Sequence, residues 1–89
     1  MTSRTTARFR KAYAGLPEAV RVRARAAYRL FQHDPHHPSL HFKQVPARRP
    51  IYSARVGLGY RALGVRDDDT IVWFWIGSHA DYDRLISQR

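Results

Sequence analysis

The run TIVWFWI, residues 70–76, constrains the fold more than any other stretch. Successive side chains of a strand point to opposite faces, so a strand that is apolar on both faces belongs inside a sheet. Residues 70–76 are therefore expected to form a central strand, covered on one side by helices. Asp67-Asp68-Asp69 precedes it and Gly77-Ser78 follows it, both turn-like. The apolar run from Ile71 to Gly77 is far too short to span a bilayer.

The rest of the chain must supply that strand's neighbours and cover. From Leu40 onward the hydrophobic period is two, which predicts strands at 40–45, 51–56 and 60–66 ahead of 70–76. Pro46 to Pro50 and Gly57-Leu58-Gly59 separate them, and connections this short imply antiparallel neighbours. Upstream the period is helical. Residues 4–14 place Phe9, Ala12 and Tyr13 on one face and Arg4, Arg8 and Lys11 on another. Gly15 ends that helix, and Pro17 opens a second that runs to about His33 and stops before Asp34-Pro35. Its apolar stripe is Val20, Ala24, Ala27 and Phe31; Arg21, Arg25 and Arg29 recur every four residues on a different face. Ser78 and Asp81 suit the start of a last short helix, from His79 to about Gln88. The expected class is α+β: an N-terminal antiparallel helix hairpin packed on one face of a four-stranded antiparallel sheet, with a short C-terminal helix. Eighty-nine residues make one domain, 1–89.

Charge points to the partner. Sixteen Lys+Arg against seven Asp+Glu give a formal net charge of +9, and fourteen of the sixteen cations are arginine. Guanidinium forks match phosphate and carboxylate geometry, so the partner is expected to be a polyanion, nucleic acid first, or an acidic protein. There is no cysteine, which excludes disulfides and thiolate metal sites. The N-terminus MTSRTTARFRK has no apolar signal core, and the cytoplasm is the expected compartment.

Three constellations carry potential chemistry. In HDPHHPSLH, His33, His36, His37 and His41 invite a metal reading, but Pro35 and Pro38 hold the segment extended and the ligands diverge. Strand alternation would put His41 on the face of Lys43. In IYSARVGLGYRALGV, a three-residue loop sets Arg55 directly opposite Arg61. Like charges in that relation repel. Either a phosphate sits between the two forks, or each arginine is solvated or paired with its own acid. In WFWIGSHADYD, His79 follows the central strand, where site residues tend to lie, and an imidazole can both take and give a proton near neutrality. Tyr82 lies one turn on, and Asp81 and Asp83 can orient the imidazole or neutralise the helix start. A His79–Asp81–Asp83 metal site conflicts with helix geometry, because alternate residues do not share a face.

The segments DPHHPSLHFK, YSARVGLGYRALG and IVWFWIGSHADYD, within 34–84, resemble the RelE/ParE superfamily of toxins from type II toxin–antitoxin systems. They are similar in particular to its RelE-like branch of mRNA interferases and plasmid-stabilisation proteins. The resemblance is specific in GYRALG and IGSHADYD. It implies a small toxin neutralised by a cognate antitoxin in a hetero-oligomer, which cuts mRNA on the ribosome and inhibits translation. It also implies that Arg55 and Arg61 hold the phosphate, that His79 is the acid/base group after the last strand, and that Tyr82 stands for a C-terminal aromatic. The family's first strand, ahead of the helices, is missing or very short in this sequence. Ser53 and Ala54 stand where some relatives carry lysine.

The expected reaction needs no metal or cofactor, since RNA supplies its own 2′-hydroxyl nucleophile. His79 or His41 would take that proton, Arg55 and Arg61 would stabilise the phosphorane, and His79 or Tyr82 would protonate the leaving 5′-oxygen. Lys43, Arg21, Arg25 and Arg29 would contact nucleic-acid backbone; the three helix arginines would alternatively meet an acidic antitoxin segment, or equally form a solvated helix face. Two other readings stay open: a ParE-like toxin that inhibits DNA gyrase without catalysis, and a basic nucleic-acid-binding domain.

Overall fold

The computed structural model describes residues 1–87. The chain runs β1 (Thr2–Thr5), α1 (Ala7–Ala14), α2 (Glu18–His33), a 3-10 turn (Pro38–Leu40), β2 (Lys43–Gln44), β3 (Ile51–Val56), β4 (Tyr60–Asp67), β5 (Thr70–Ser78) and α3 (His79–Ser87). The class is α+β, but the sheet has five strands and is mixed, in the order β1-β5-β4-β3-β2. The TIVWFWI run is indeed interior, with β4 antiparallel on one side and β1 parallel on the other.

The added strand corrects the expected helix at 4–14. Arg4 and Thr5 pair with Val72 and Trp73, and α1 starts only at Ala7. Thr6 sets that boundary: its hydroxyl accepts the Phe9 N–H at 3.0 Å, as a helix-capping threonine does. Trp73 Nε1 donates to Ser3 Oγ at 3.0 Å, tying β1 to its neighbour by side chains as well. Leaving the β5 edge open would expose the unpaired backbone of the most apolar strand, which favours recruiting even four polar residues to it.

The expected strand 40–45 is also corrected. His37 Nδ1 accepts the Ser39 N–H and Pro38 opens the 3-10 turn, which buries Leu40. His41 then takes a left-handed conformation with φ of 46°, and only Lys43 and Gln44 pair with β3. Pro17 precedes α2 instead of opening it, and its carbonyl accepts the Val20 and Arg21 N–H groups. Helix α2 ends at His33, ahead of Asp34-Pro35. The last helix begins at His79 as expected; its expected end at Gln88 lies outside the described residues.

Two cores divide the sheet. On one face Phe31 of α2 meets Phe42 and Trp73 edge-on, with ring centres 4.9 and 5.3 Å apart, over Ala54, Val56, Ala62 and Ile76. Helices α1 and α2 cover this face, α1 over β5 and α2 over β3. The helices were expected on one face only. Instead α3 packs on the other, where Tyr82 joins Val45 and Leu63 in a second, smaller core. That second face carries Arg55 and Arg61.

Candidate active site

The β3–β4 hairpin has the three-residue loop that sets its register. Gly57 and Gly59 take φ values of 58° and 81°, conformations that glycine adopts at less cost than residues with a Cβ. Val56 therefore pairs with Tyr60, and Arg55 stands directly opposite Arg61. Strand β5 continues the ladder: Arg61 is opposite Gly77, Tyr60 is opposite Ser78, and the His79 N–H donates to the Gly59 carbonyl at 2.7 Å. The backbone of His79 is thus fixed to the hairpin that carries the arginines. Gly77 is small for a reason, since a Cβ there would lie 2.7 Å from the Trp75 ring.

Arg61 is only 8% exposed. One terminal NH2 donates to Ser53 Oγ at 3.0 Å, and the guanidinium carbon lies 5.1 Å from the centre of the Tyr82 ring. Its buried Nε has no hydrogen-bond partner. The ion pairs among the described residues join Met1 to Asp69, His79 to Asp83 and Arg84 to Asp81; none reaches Arg61. A buried cation without an acid, and with an unmet donor, is costly in the free protein.

His79 begins α3, whose N-terminus is capped by Ser78 Oγ accepting the Asp81 N–H at 3.1 Å. The Asp81 carboxylate pairs with Arg84 instead of closing a capping box. His79 Nδ1 lies 3.2 Å from Asp83 Oδ2, and its ring centre lies 5.9 Å from that of Tyr82. Tyr82 is therefore the meeting point: Arg61 packs on its ring and His79 borders it. The ring is buried, which makes it a platform under Arg61.

Other expected site residues lie further out. Arg55 donates Nε to the Gly57 carbonyl at 3.2 Å, so its fork folds toward the hairpin loop. Lys43 is directly opposite Ser53 and shares the Arg61 face. His41 is exposed and not in a strand, so the alternation that would have aligned it with Lys43 does not apply. Arg21 donates to the Leu16 and Ala14 carbonyls at 2.6 and 3.4 Å, closing the α1–α2 turn. Arg25 donates to the Tyr13 hydroxyl at 2.6 Å. Arg25 and Arg29 line a cleft of about 450 Å³ between the helices and the first face of the sheet, away from Arg61. The helix stripe thus lies apart from Arg61, Tyr82 and His79, while Arg55 borders the same cleft.

Ser53, the hydrogen-bond partner of Arg61, carries no signal of that contact in the sequence. It is fully buried, two residues from Arg55 on the same face, and strand alternation places it diagonal to Arg61. No group of three or more His, Cys, Asp or Glu side chains among the described residues is arranged to hold a metal ion. No helix among them is long and apolar enough to cross a membrane.

Comparison with known structures matches this architecture to toxins. RelE in the RelB–RelE antitoxin–toxin complex from Methanococcus jannaschii is 22% identical, with 91% of this chain and 96% of that chain covered and a TM-score of 0.73. YafQ from E. coli is 10% identical, covering 90% and 94%, with a TM-score of 0.71. The isolated E. coli RelE toxin is 14% identical, covering 98% and 96%, with a TM-score of 0.66. These likenesses establish the fold. Comparison with curated proteins finds no match. The family model of the ParE-like toxin domain matches residues 18–84, a span that holds α2, the whole β-hairpin and the Arg61–Tyr82–His79 cluster; the chain belongs to that family.

Proposed function

We propose that the protein is the toxin of a toxin–antitoxin pair and acts in the cytoplasm as a metal-independent endoribonuclease. It cuts mRNA on the ribosome and so stops translation. The observation that carries this reading is Arg61, a buried guanidinium with no acidic partner and an unmet Nε–H among the described residues, packed on the Tyr82 ring that the exposed imidazole of His79 also borders.

In this mechanism the RNA 2′-oxygen attacks the adjacent phosphorus while the bond from phosphorus to the 5′-oxygen breaks. His79 takes the 2′-hydroxyl proton and returns it to the leaving 5′-oxygen, so the enzyme ends unchanged. The products are a 2′,3′-cyclic phosphate and a 5′-hydroxyl. Arg61, with Arg55 across the hairpin, stabilises the charge that builds on the phosphorane oxygens. Tyr82 and Ser53 hold the Arg61 fork. Lys43 extends the positive surface on the same face, and Arg29, the member of the helix stripe without a side-chain hydrogen bond among the described residues, would meet nucleic acid or an acidic antitoxin segment. His41 has no part in this geometry. Expression should arrest growth, and His79→Ala should restore it with folding intact by circular dichroism. Continued toxicity of His79→Ala, Arg55→Ala and Arg61→Ala alike would sink the mechanism.

The family description favours a second reading, a ParE-like toxin that blocks DNA gyrase by binding alone. On that reading the basic surface matters and His79→Ala is silent.

A further inference from the structure

We propose that Asp83 is a positioning residue that fixes the tautomer of His79. The inference rests on the endoribonuclease reading and assigns a role to a carboxylate that the reading leaves idle. Asp83 Oδ2 lies 3.2 Å from His79 Nδ1, four residues apart on α3. An ionised carboxylate only accepts hydrogen bonds, so this contact requires a hydrogen on Nδ1. A neutral imidazole has one N–H. Holding it at Nδ1 leaves Nε2 with its lone pair, which is the form a proton acceptor needs.

Other duties for Asp83 fit less well. A carboxylate that serves the positive end of a helix belongs in the first turn, where the dipole effect is concentrated. Asp81 fills that position, and Asp83 is two residues beyond it. Arg84 is already paired with Asp81. The His79 and Asp83 side chains are 54% and 59% exposed, so the pair adds little to stability and its effect falls on the ring itself. The remaining freedom of His79 is small. Its N–H is tied to the Gly59 carbonyl and Ser78 caps the helix, so the side-chain torsions are what Asp83 sets.

The test joins a structural readout to a kinetic one. Protein labelled with 15N-histidine is examined by long-range proton–nitrogen correlation at a pH where imidazole is neutral. Wild type should carry the hydrogen of His79 on Nδ1. Asp83→Ala should move it toward Nε2, and Asp83→Asn should retain it, because the amide oxygen still accepts. In steady-state cleavage of ribosome-bound mRNA, Asp83→Ala should lower kcat roughly tenfold or more with KM little changed, and Asp83→Asn should recover part of the loss. Retention of the wild-type tautomer in Asp83→Ala overturns the proposal. So does a changed tautomer with unchanged kcat. Wild-type protein that leaves ribosome-bound mRNA intact overturns the endoribonuclease reading instead, and the tautomer of Asp83→Ala then still decides whether Asp83 positions the ring.

Discussion

Arg61 lies across the ring of Tyr82, its guanidinium carbon 5.1 Å from the ring centre, and this contact joins the β-hairpin to the C-terminal helix. The two residues are on different elements and on neither end of one. Tyr82 anchors α3 to the second face of the sheet, and the same ring supports the cation that the proposed chemistry needs. Stability of α3 and placement of Arg61 are therefore coupled.

Arg61→Lys should abolish most RNA cleavage although charge is kept. Lysine cannot bond Ser53, spread over Tyr82 and present a second donor to phosphate at once. The expected loss in kcat is about a hundredfold or more, the scale of removing one transition-state donor. Arg55→Lys should lose less, since Arg55 is only half-buried and its side-chain hydrogen bond among the described residues is to the Gly57 carbonyl. Equal losses for the two would contradict the unequal roles assigned here.

Tyr82→Ala should cost about 3 kcal/mol in urea unfolding, the lower end of the range for removing a large buried aromatic ring. Tyr82→Phe keeps the ring and should stay near wild type in both stability and cleavage. A large loss of cleavage in stable Tyr82→Phe would give the hydroxyl a role that the buried platform does not require.

Gly64 sits where the β4–β5 register shifts, and a Cβ there would lie 2.8 Å from Ile71 Cγ1 and 2.9 Å from the Trp73 ring. Ile71 is fully buried and has nowhere to go. Gly64→Ala should destabilise by about 1–3 kcal/mol through overpacking. The urea midpoint reports it.

Thr6→Ala removes the side-chain acceptor for the Phe9 N–H and should cost about 1 kcal/mol. Thr6→Ser keeps the acceptor and should be close to neutral. The comparison tests whether the β1–α1 boundary depends on the cap.

Much of the fold was legible because its signals are local. The apolar run at 70–76, the two glycines of the hairpin loop and Pro35 after α2 each dictate backbone behaviour without distant help. The Arg55–Arg61 pairing followed from loop length alone. Strand β1 was hidden because TSRT has no apolar alternation; it forms through the needs of the β5 edge, about seventy residues away in sequence. The 3-10 turn replaced the start of a strand because His37 and Pro38 cap it locally, against the period-two pattern. At the site, His79, Arg55 and Arg61 could be named from position. Of their partners, Tyr82, Asp81 and Asp83 could be named only as candidates, and Ser53 not at all. Ser53 under Arg61, and Asp83 instead of Asp81 on His79, are choices made by packing and by competition from Arg84.

The most direct test of the central claim is pulse labelling of cells after induction, with the 5′ and 3′ ends of the resulting mRNA fragments mapped. The account predicts that protein synthesis stops first. It also predicts fragments bearing 2′,3′-cyclic phosphate and 5′-hydroxyl ends, and that both effects vanish in His79→Ala. DNA synthesis stopping first, with intact mRNA and undiminished toxicity of His79→Ala, would contradict it.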